Sequence, residues 1–447
     1  MPAACRRSLA FLCVFAAATL VLAGCATPPR QLMPTPVIYQ GPGGPRVFTV
    51  PAETPGGTDV ELFYITDRGP ETDPESTLPY GQGRDDRIKF GTTRVRIGEG
   101  LTWSELDRES HLGEGERTRG LELSLGRTAE LGMFPDEPYA VIRDAAGNVY
   151  RDLRVLREHD LARRQFQQEI ATRVAASPRK EVMLYVHGFN ETFETAAFTT
   201  ADLCHFLGRE PVCAFFTWPA SSTGNFLISY TTTTESAEYA TNHLKKTIRM
   251  LAETPGVDRL QLLAHRRGTA LMLAAVRELA LEAISAGKEP AQVLKIDNVV
   301  LFSPDIDVDV GAQAVTSYAS DPDLISVWPS RRLPRTVNGG MTIYSSPEDR
   351  ALLVSRILFR SRNRVGNLRA ESINPDVQEY MRELGKLTFV VYDGKRTDAF
   401  GHSYFTTNPR VSADVIELLR YGTAPGEPGR DLIQVGPVVW KFPEEAR

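Results

Sequence analysis

No apolar run in this 447-residue chain is long enough to be read as a membrane span. The best candidate, residues 8–22, falls short of the ~18 residues at which a spanning helix becomes the default. No basic stripe interleaved with aromatic residues is present, which excludes nucleic acid as an expected partner. No internal repeat is visible, and apolar (42%) and charged (24%) fractions are those of an ordinary globular chain. A disordered chain is therefore excluded and a sizeable core expected. Cysteine is scarce: five residues, of which only Cys204 and Cys213 fall beyond position 25. Neither stands at the carboxyl end of a predicted strand, so neither is read as a nucleophile.

What is present at the N-terminus points to export. Arg6 and Arg7 precede the apolar run, which closes on Leu22-Ala23-Gly24-Cys25. A basic start, a short apolar stretch and a small-residue exit make an export signal. The last four residues resemble a bacterial lipobox. That resemblance implies cleavage before Cys25 and acylation of its thiol and amine, so that residues 1–24 are a signal peptide and the partner of Cys25 is a lipid bilayer. The expected location is the bacterial cell envelope, at the outer membrane facing the periplasm. The formal net charge is −5, and losing residues 1–24 removes two arginines and no acid. A mildly acidic body has no electrostatic pull toward anionic lipid, so the anchor must hold it. Residues 25–58 are rich in proline and glycine and read as an extended tether. In an oxidising compartment Cys204 and Cys213, across a short helix-to-strand connection, are candidates for a disulfide, with a pair of buried free thiols as the alternative.

The body divides by pattern. Residues 59–152 carry strand-like runs at 61–65 and 94–97, separated by a charged, glycine-bearing loop at 69–86, and read as a β-rich extension. From about residue 160 helical and strand patterns alternate, so 153–447 is expected to be an α/β domain, a mostly parallel sheet with helices on both faces. Residues 221–234, polar and aromatic, could form part of a lid, and the apolar stretch 435–442 a last strand. Ligands of such sheets bind at the carboxyl ends of the strands.

Five segments fall at such ends. The strand 182–186 runs into His187-Gly188-Phe189-Asn190. The strand 212–217 ends at Trp218-Pro219. The run 258–263 leads into Ala264-His265-Arg266-Arg267-Gly268 and then a helix, 269–286. The strand 299–303 leads into Pro304-Asp305-Ile306-Asp307, and 341–344 into Ser345-Ser346-Pro347-Glu348-Asp349-Arg350. After one more strand, 387–392, comes Gly401-His402-Ser403-Tyr404-Phe405. The third segment has the small-x-apex-x-small spacing of a nucleophile elbow, where a strained turn leaves no room for side chains two residues either side of the apex. Its apex is Arg266, and a permanently protonated guanidinium has no lone pair with which to attack an ester.

Together these motifs, from about residue 60 to the C-terminus, resemble a bacterial α/β-hydrolase family described only as a domain of unknown function, with VHGFN, AHSxG, APDID, SSxDRAL and GHSYF segments in that order. The chain departs from that pattern at the elbow serine. The resemblance implies the α/β-hydrolase fold and ester or related acyl hydrolysis with no cofactor. It implies that Asp349 orients the base, that His402 is the base, and that Phe189 and Arg267 supply backbone N–H groups to an oxyanion. His187 is read as a hydrogen bonder that fixes its loop. The alternating Asp305, Asp307 and Asp309 lack the acidic twelfth position of a calcium loop and read as a helix cap, so no metal is expected. Three functional expectations remain open: a catalytically impaired scaffold that binds a small ester, carboxylate or other anion; an active hydrolase using a displaced serine among Ser303, Ser345, Ser346 and Ser403; and an esterase carrying a recent or artificial serine-to-arginine change.

Overall fold

Residues Glu181–Val186 are apolar at every position but the first, and they form a strand buried throughout. Val182, Leu184 and Val186 enter one hydrophobic core while Met183 and Tyr185 enter another. Side chains of a strand alternate between faces, so a strand without polar alternation must be covered on both sides. The structure, a computed structural model, describes residues 29–41, 43–49, 57–113, 115–220, 226–349, 352, 364–369, 373, 375–394 and 403–444, and of residues 226–231 and 316–319 the backbone only.

In chain order, β1 (Asp59–Pro70), β2 (Tyr80–Ile97) and β3 (Leu123–Met133) form an antiparallel meander, followed by a separate hairpin of β4 (Val141–Arg143) and β5 (Val149–Arg151). The alternating part comprises α1 (Leu153–Ala176), β6 (Glu181–Val186), α2 (Phe193–Phe206), β7 (Val212–Thr217), α3 (Phe226–Glu253), β8 (Arg259–His265), α4 (Gly268–Ser285) and β9 (Ile296–Phe302). It continues with α5 (Val308–Ser320), β10 (Gly340–Ser345), α6 (Pro375–Leu384), β11 (Leu387–Val391), α7 (Pro409–Ile416), β12 (Ile433–Gln434) and β13 (Val439–Lys441). Eleven strands make one sheet in the order β12-β13-β11-β10-β9-β8-β6-β7-β1-β2-β3. From β1 through β13 the neighbours run parallel, and only β2, β3 and β12 pair antiparallel. Helices α1, α3 and α4 bury their apolar sides on one face, α2 and α7 on the other. No helix of the described residues is long and apolar enough to cross a membrane.

The β-rich extension extends the main sheet, as read: β1 pairs with β7 from Phe63↔Ala214 to Thr66↔Thr217, so the meander continues it. Two sequence readings change. The loop read at 69–86 is shorter, because β1 runs to Pro70 and β2 begins at Tyr80, with the charged residues of β2 pointing largely to solvent. Residues 29–49 are not a free tether. Leu32 and Leu123 exchange backbone hydrogen bonds with Leu121 and Arg30, Met33 N–H donates to Asp202 at 2.9 Å, and Arg30 pairs with the same carboxylate at 2.8 Å. Leu32, Met33, Tyr39, Val47 and Phe48 are buried against α2 and its neighbours. Proline and glycine content described the backbone of this stretch but not its apolar anchors. The segment 221–234 is helical from Phe226 onward, while 221–225 lie outside the described residues. The tail does add a last parallel strand, β13 beside β11. Cys204, near the end of α2, and Cys213, in β7, are joined by a disulfide.

Candidate active site

Strand β8 ends at His265 and α4 begins at Gly268, with two residues of turn between them. Arg266 stands at that turn with φ +50°, a left-handed conformation costing a non-glycine residue ~1–2 kcal/mol. The turn is held from both sides. Arg266 N–H donates to the Phe302 carbonyl at 3.0 Å, and its own carbonyl accepts from the N–H groups of Thr269 (3.1 Å) and Asp305 (3.3 Å). Gly268 allows it to close. A Cβ there would lie 2.2 Å from the His187 carbonyl oxygen, a backbone atom that cannot step aside. A Cβ on Gly188 would meet Cβ of Arg266 at 2.9 Å. The turn after β8 and the loop after β6 are thus pressed together, which is what a nucleophile elbow beside an oxyanion loop requires.

The side chain of Arg266 runs along Gly188, with its Cδ 3.4 Å from where a Cβ of that glycine would be, and is half-buried. Among the described residues its guanidinium has no hydrogen bond or ion pair. Asp349 lies beyond β10 and is fully buried, with its Oδ1 accepting the Leu352 N–H at 3.2 Å and its carbonyl accepting from Asn367 at 3.0 Å. Phe189 is buried in the loop after β6, and Arg267 is the residue preceding α4, its Nη1 donating to the Asp305 carbonyl at 3.4 Å. His402, Arg350 and Cys25 lie outside the described residues.

Two residues that sequence reasoning gave no role organise the loop after β6. Arg68, at the carboxyl end of β1, is fully buried. It donates to Thr217 Oγ1 (2.7 Å), to the Gly81 and Glu191 carbonyls (3.0 and 2.6 Å) and toward His187 Nε2 (3.2 Å). Glu191 accepts from Gly188 N–H at 3.3 Å and from His265 Nδ1 at 3.4 Å, and so links the loop after β6 to the residue before the apex. Burial pushes its carboxyl up, but the His265 hydrogen bond and the nearby imidazoles outweigh this and hold it at about 2. The sequence signals for the pair were slight: Arg68 closes Tyr64-Ile65-Thr66-Asp67-Arg68, a run that also resembles the family, and Glu191 directly follows His187-Gly188-Phe189-Asn190.

His187 fixes its loop, as read. Its Nδ1 faces the Gly188 carbonyl at 2.9 Å and so carries the proton, while Nε2 accepts the Trp218 N–H at 3.1 Å. Burial, and then Arg68, push its pKa from 6.5 down to about 4. Between those values the unfolded chain binds a proton that the folded one refuses. The neutral ring therefore stabilises the fold fully above about pH 6.5, and that contribution is lost as pH falls toward 4. His205, forced down by burial and Arg209, adds with the same sign. We expect urea denaturation at pH 5 to give a stability lower than at pH 7.5 by roughly 2 kcal/mol or more, the linkage value of one such histidine over 1.5 pH units. In His187→Asn the slope should fall by about one proton's worth; an unchanged slope would mean that His187 does not titrate this way.

The other readings resolve as follows. Asp307 caps α5, accepting the Asp309 N–H, and Asp305 pairs with buried Arg364 at 3.3 Å. Ser303 does occupy a sharp turn (φ +44°), but its flanks are large and it is fully buried, with its hydroxyl on Tyr404 at 3.1 Å. Ser345 and Ser346 are buried as well.

The sequence pattern of the α/β-hydrolase family of unknown function DUF900 matches residues 162–420. Among solved structures, the chain is similar to a predicted CIB-like hydrolase from Thermoplasma acidophilum (10% identity, TM-score 0.30, 55% of this chain and 88% of that one). It is also similar to a Pyrobaculum calidifontis esterase (11%, 0.27, 59% and 92%) and to esterase B from Lactobacillus rhamnosis (12%, 0.25, 48% and 67%). No curated protein matches.

Proposed function

This chain belongs to the α/β-hydrolase family of unknown function DUF900, and on that premise we propose that it is a hydrolase-fold protein whose elbow carries arginine in place of the serine nucleophile, so that the site binds a small carboxylate instead of cleaving an ester. The observation that carries the reading is Arg266 itself. It holds the strained apex, is half-exposed, and pairs with no described acid. A guanidinium held beside a loop of backbone N–H groups suits a planar anion, which it can grip with two parallel hydrogen bonds. Asp349 and His402 then remain from an ancestral serine hydrolase. The burial of Ser303, Ser345 and Ser346 argues against a displaced nucleophile among them.

The reading includes an anchor: acylated Cys25 holds the body at the outer membrane, facing the periplasm. The lipobox-like Leu22-Ala23-Gly24-Cys25 supports this, and the Cys204–Cys213 disulfide fits an oxidising compartment.

The test uses the purified full chain. Short p-nitrophenyl esters should not turn over, and acetate should bind by calorimetry. Arg266→Gln should weaken that binding about tenfold or more, the worth of one charge-assisted hydrogen bond. Turnover by the parent that disappears in His402→Ala, or acetate binding indifferent to Arg266→Gln, would overturn the reading. For the anchor, Cys25→Ser should move the chain from the membrane to the soluble fraction; a variant still in the membrane sinks that part.

A further inference from the structure

Strands β4 and β5 form a hairpin outside the main sheet, and all their residues are exposed. Ile142 pairs directly with Tyr150, so both occupy one face, while Val141, Arg143, Val149 and Arg151 share the other. The side-chain hydrogen bonds stay within the hairpin. Asn148 and Tyr150 donate to the Asp144 carboxylate and Arg143 to the Gly147 carbonyl, and among the described residues none reaches the body. A two-stranded hairpin with no core beneath it is marginal in water. The apolar surface continues into α1, where Leu153, Arg157 and Leu161 follow at four-residue spacing and share one side of the helix. Val141, Ile142, Val149, Tyr150, Leu153, Leu156 and Leu161 are each 42–65% exposed, and they are seven of the nineteen large apolar side chains exposed among the described residues. Single exposed apolar residues need no explanation, but such a concentration within one short stretch marks an interaction surface.

The surrounding charge narrows what covers it. Residues 141–164 hold six arginines against four acids, in a chain whose formal net charge is −5. Arg154 pairs with Asp152 and Glu158, whereas Arg143, Arg151 and Arg157 form no ion pair among the described residues. Aliphatic side chains and a tyrosine interleaved with unpaired arginines suit the boundary of an anionic bilayer. The apolar parts leave water there, and the guanidiniums reach the phosphates. Position agrees with charge. β3 is the outermost strand of the sheet, and at its first residue the Leu123 N–H donates to the carbonyl of Arg30, five residues after Cys25. Beyond its last residue, Met133, the chain passes Phe134 and Tyr139, both packed on His159 of α1, and enters the hairpin. One margin of the sheet thus carries the tether at one end and the hairpin at the other, with the eleven residues of β3 spanning roughly 35 Å between them. We propose that the β4–β5 hairpin and the first turns of α1 dip into an anionic phospholipid surface, so that the protein lies on the membrane along its β3 margin. The tether's part in this rests on the anchor reading above; the hairpin's part rests on its own exposure and charge.

The test uses the full chain in vesicles of phosphatidylethanolamine and phosphatidylglycerol, with and without bromine on the acyl chains. A fluorophore on Ile142→Cys should be quenched by the brominated lipid, and one on Val435→Cys should not. Val435 is 47% exposed against 50% for Ile142, but it lies just past β12 at the opposite margin of the sheet. The parent chain, labelled alike, supplies the background. Arg143→Gln/Arg151→Gln/Arg157→Gln should lower the quenched fraction at position 142 about fivefold or more, each arginine near anionic lipid being worth a factor of about five. Vesicles of phosphatidylcholine alone should do the same. Quenching at 142 no greater than at 435 would overturn the proposal. So would quenching that both the triple variant and phosphatidylcholine leave unchanged, since the contact would then not be with anionic headgroups. A label at 142 that is shielded in lipid-free solution, in a chain that elutes as a dimer, would assign the surface to a second copy instead. Release of Cys25→Ser from the membrane judges the anchor separately, because the label reads the hairpin whether acyl chains hold the protein or vesicles are mixed with it in solution.

Discussion

Arg266→Ser is expected to hydrolyse esters far faster than the parent chain, and Arg266→Ser/His402→Ala to lose that gain again. The argument is that the expensive part of an elbow is its backbone, and the backbone is in place. Residue 266 already holds φ +50°, Gly268 lies where a Cβ would come 2.2 Å from a carbonyl oxygen, and Gly188 closes the other side. Buried Asp349 stands at the end of β10. Serine at the apex frees the space along Gly188 that the arginine stem occupies. In a model serine protease, losing the nucleophile costs on the order of a million-fold in kcat, and what remains is about a thousandfold over water through binding and oxyanion contacts. The gain should therefore be at least about a thousandfold in kcat/KM on p-nitrophenyl acetate. A folded serine variant with no turnover would mean that more than the nucleophile has been lost. The esterase-ancestry reading would then fail at the level of mechanism, although family membership would stand.

Removing residues 1–57 is expected to unfold the protein or leave it insoluble, whereas removing only residues 1–28 should leave its melting temperature within a few degrees. Five buried side chains, Leu32, Met33, Tyr39, Val47 and Phe48, leave with the longer deletion. At ~1.5–3 kcal/mol each they sum to roughly 7–15 kcal/mol as an upper bound, offset in part by the entropy of ordering the segment. That is comparable with the whole stability of a typical domain, ~5–15 kcal/mol. Two buried polar groups suffer as well. Asp202 loses both Arg30 and the Met33 N–H, and Arg420 loses the Tyr39 hydroxyl that accepts from it at 2.8 Å. Differential scanning of the full chain and the two deletions decides the matter; equal melting temperatures for all three would show that the N-terminal clamp holds nothing.

Local chemistry was legible in the sequence because it is short-range. The elbow was readable from Ala264-His265-Arg266-Arg267-Gly268, since the strained turn restricts the residues two positions either side of its apex, and the structure places positive φ at Arg266. Asp307 was readable as a helix cap for the same reason, its partner lying two residues on. The parallel sheet followed from the alternation of helical and strand patterns beyond about residue 160, and strands such as Glu181–Val186, buried on both faces, bear it out. The meander was only half legible, because the charges of β2 face water and mimic a loop.

What the sequence alone determined is the α/β class and the placing of Arg266, Asp349, Phe189 and Arg267 at strand ends, together with the absence of a nucleophile at the apex. Tertiary structure alone decided which groups support that site and what holds the sheet's flank. Arg68 reaches Glu191 across 123 positions and Glu191 reaches His265 across 74, distances at which no spacing rule operates. The proline-rich stretch 29–49 becomes a clamp only because Asp202 and the α2 face meet it from 169 and 172 positions further on, near enough in space and unreadable in order. Backbone strain and caps are set by neighbours in the chain; buried charges and voids are set by neighbours in space.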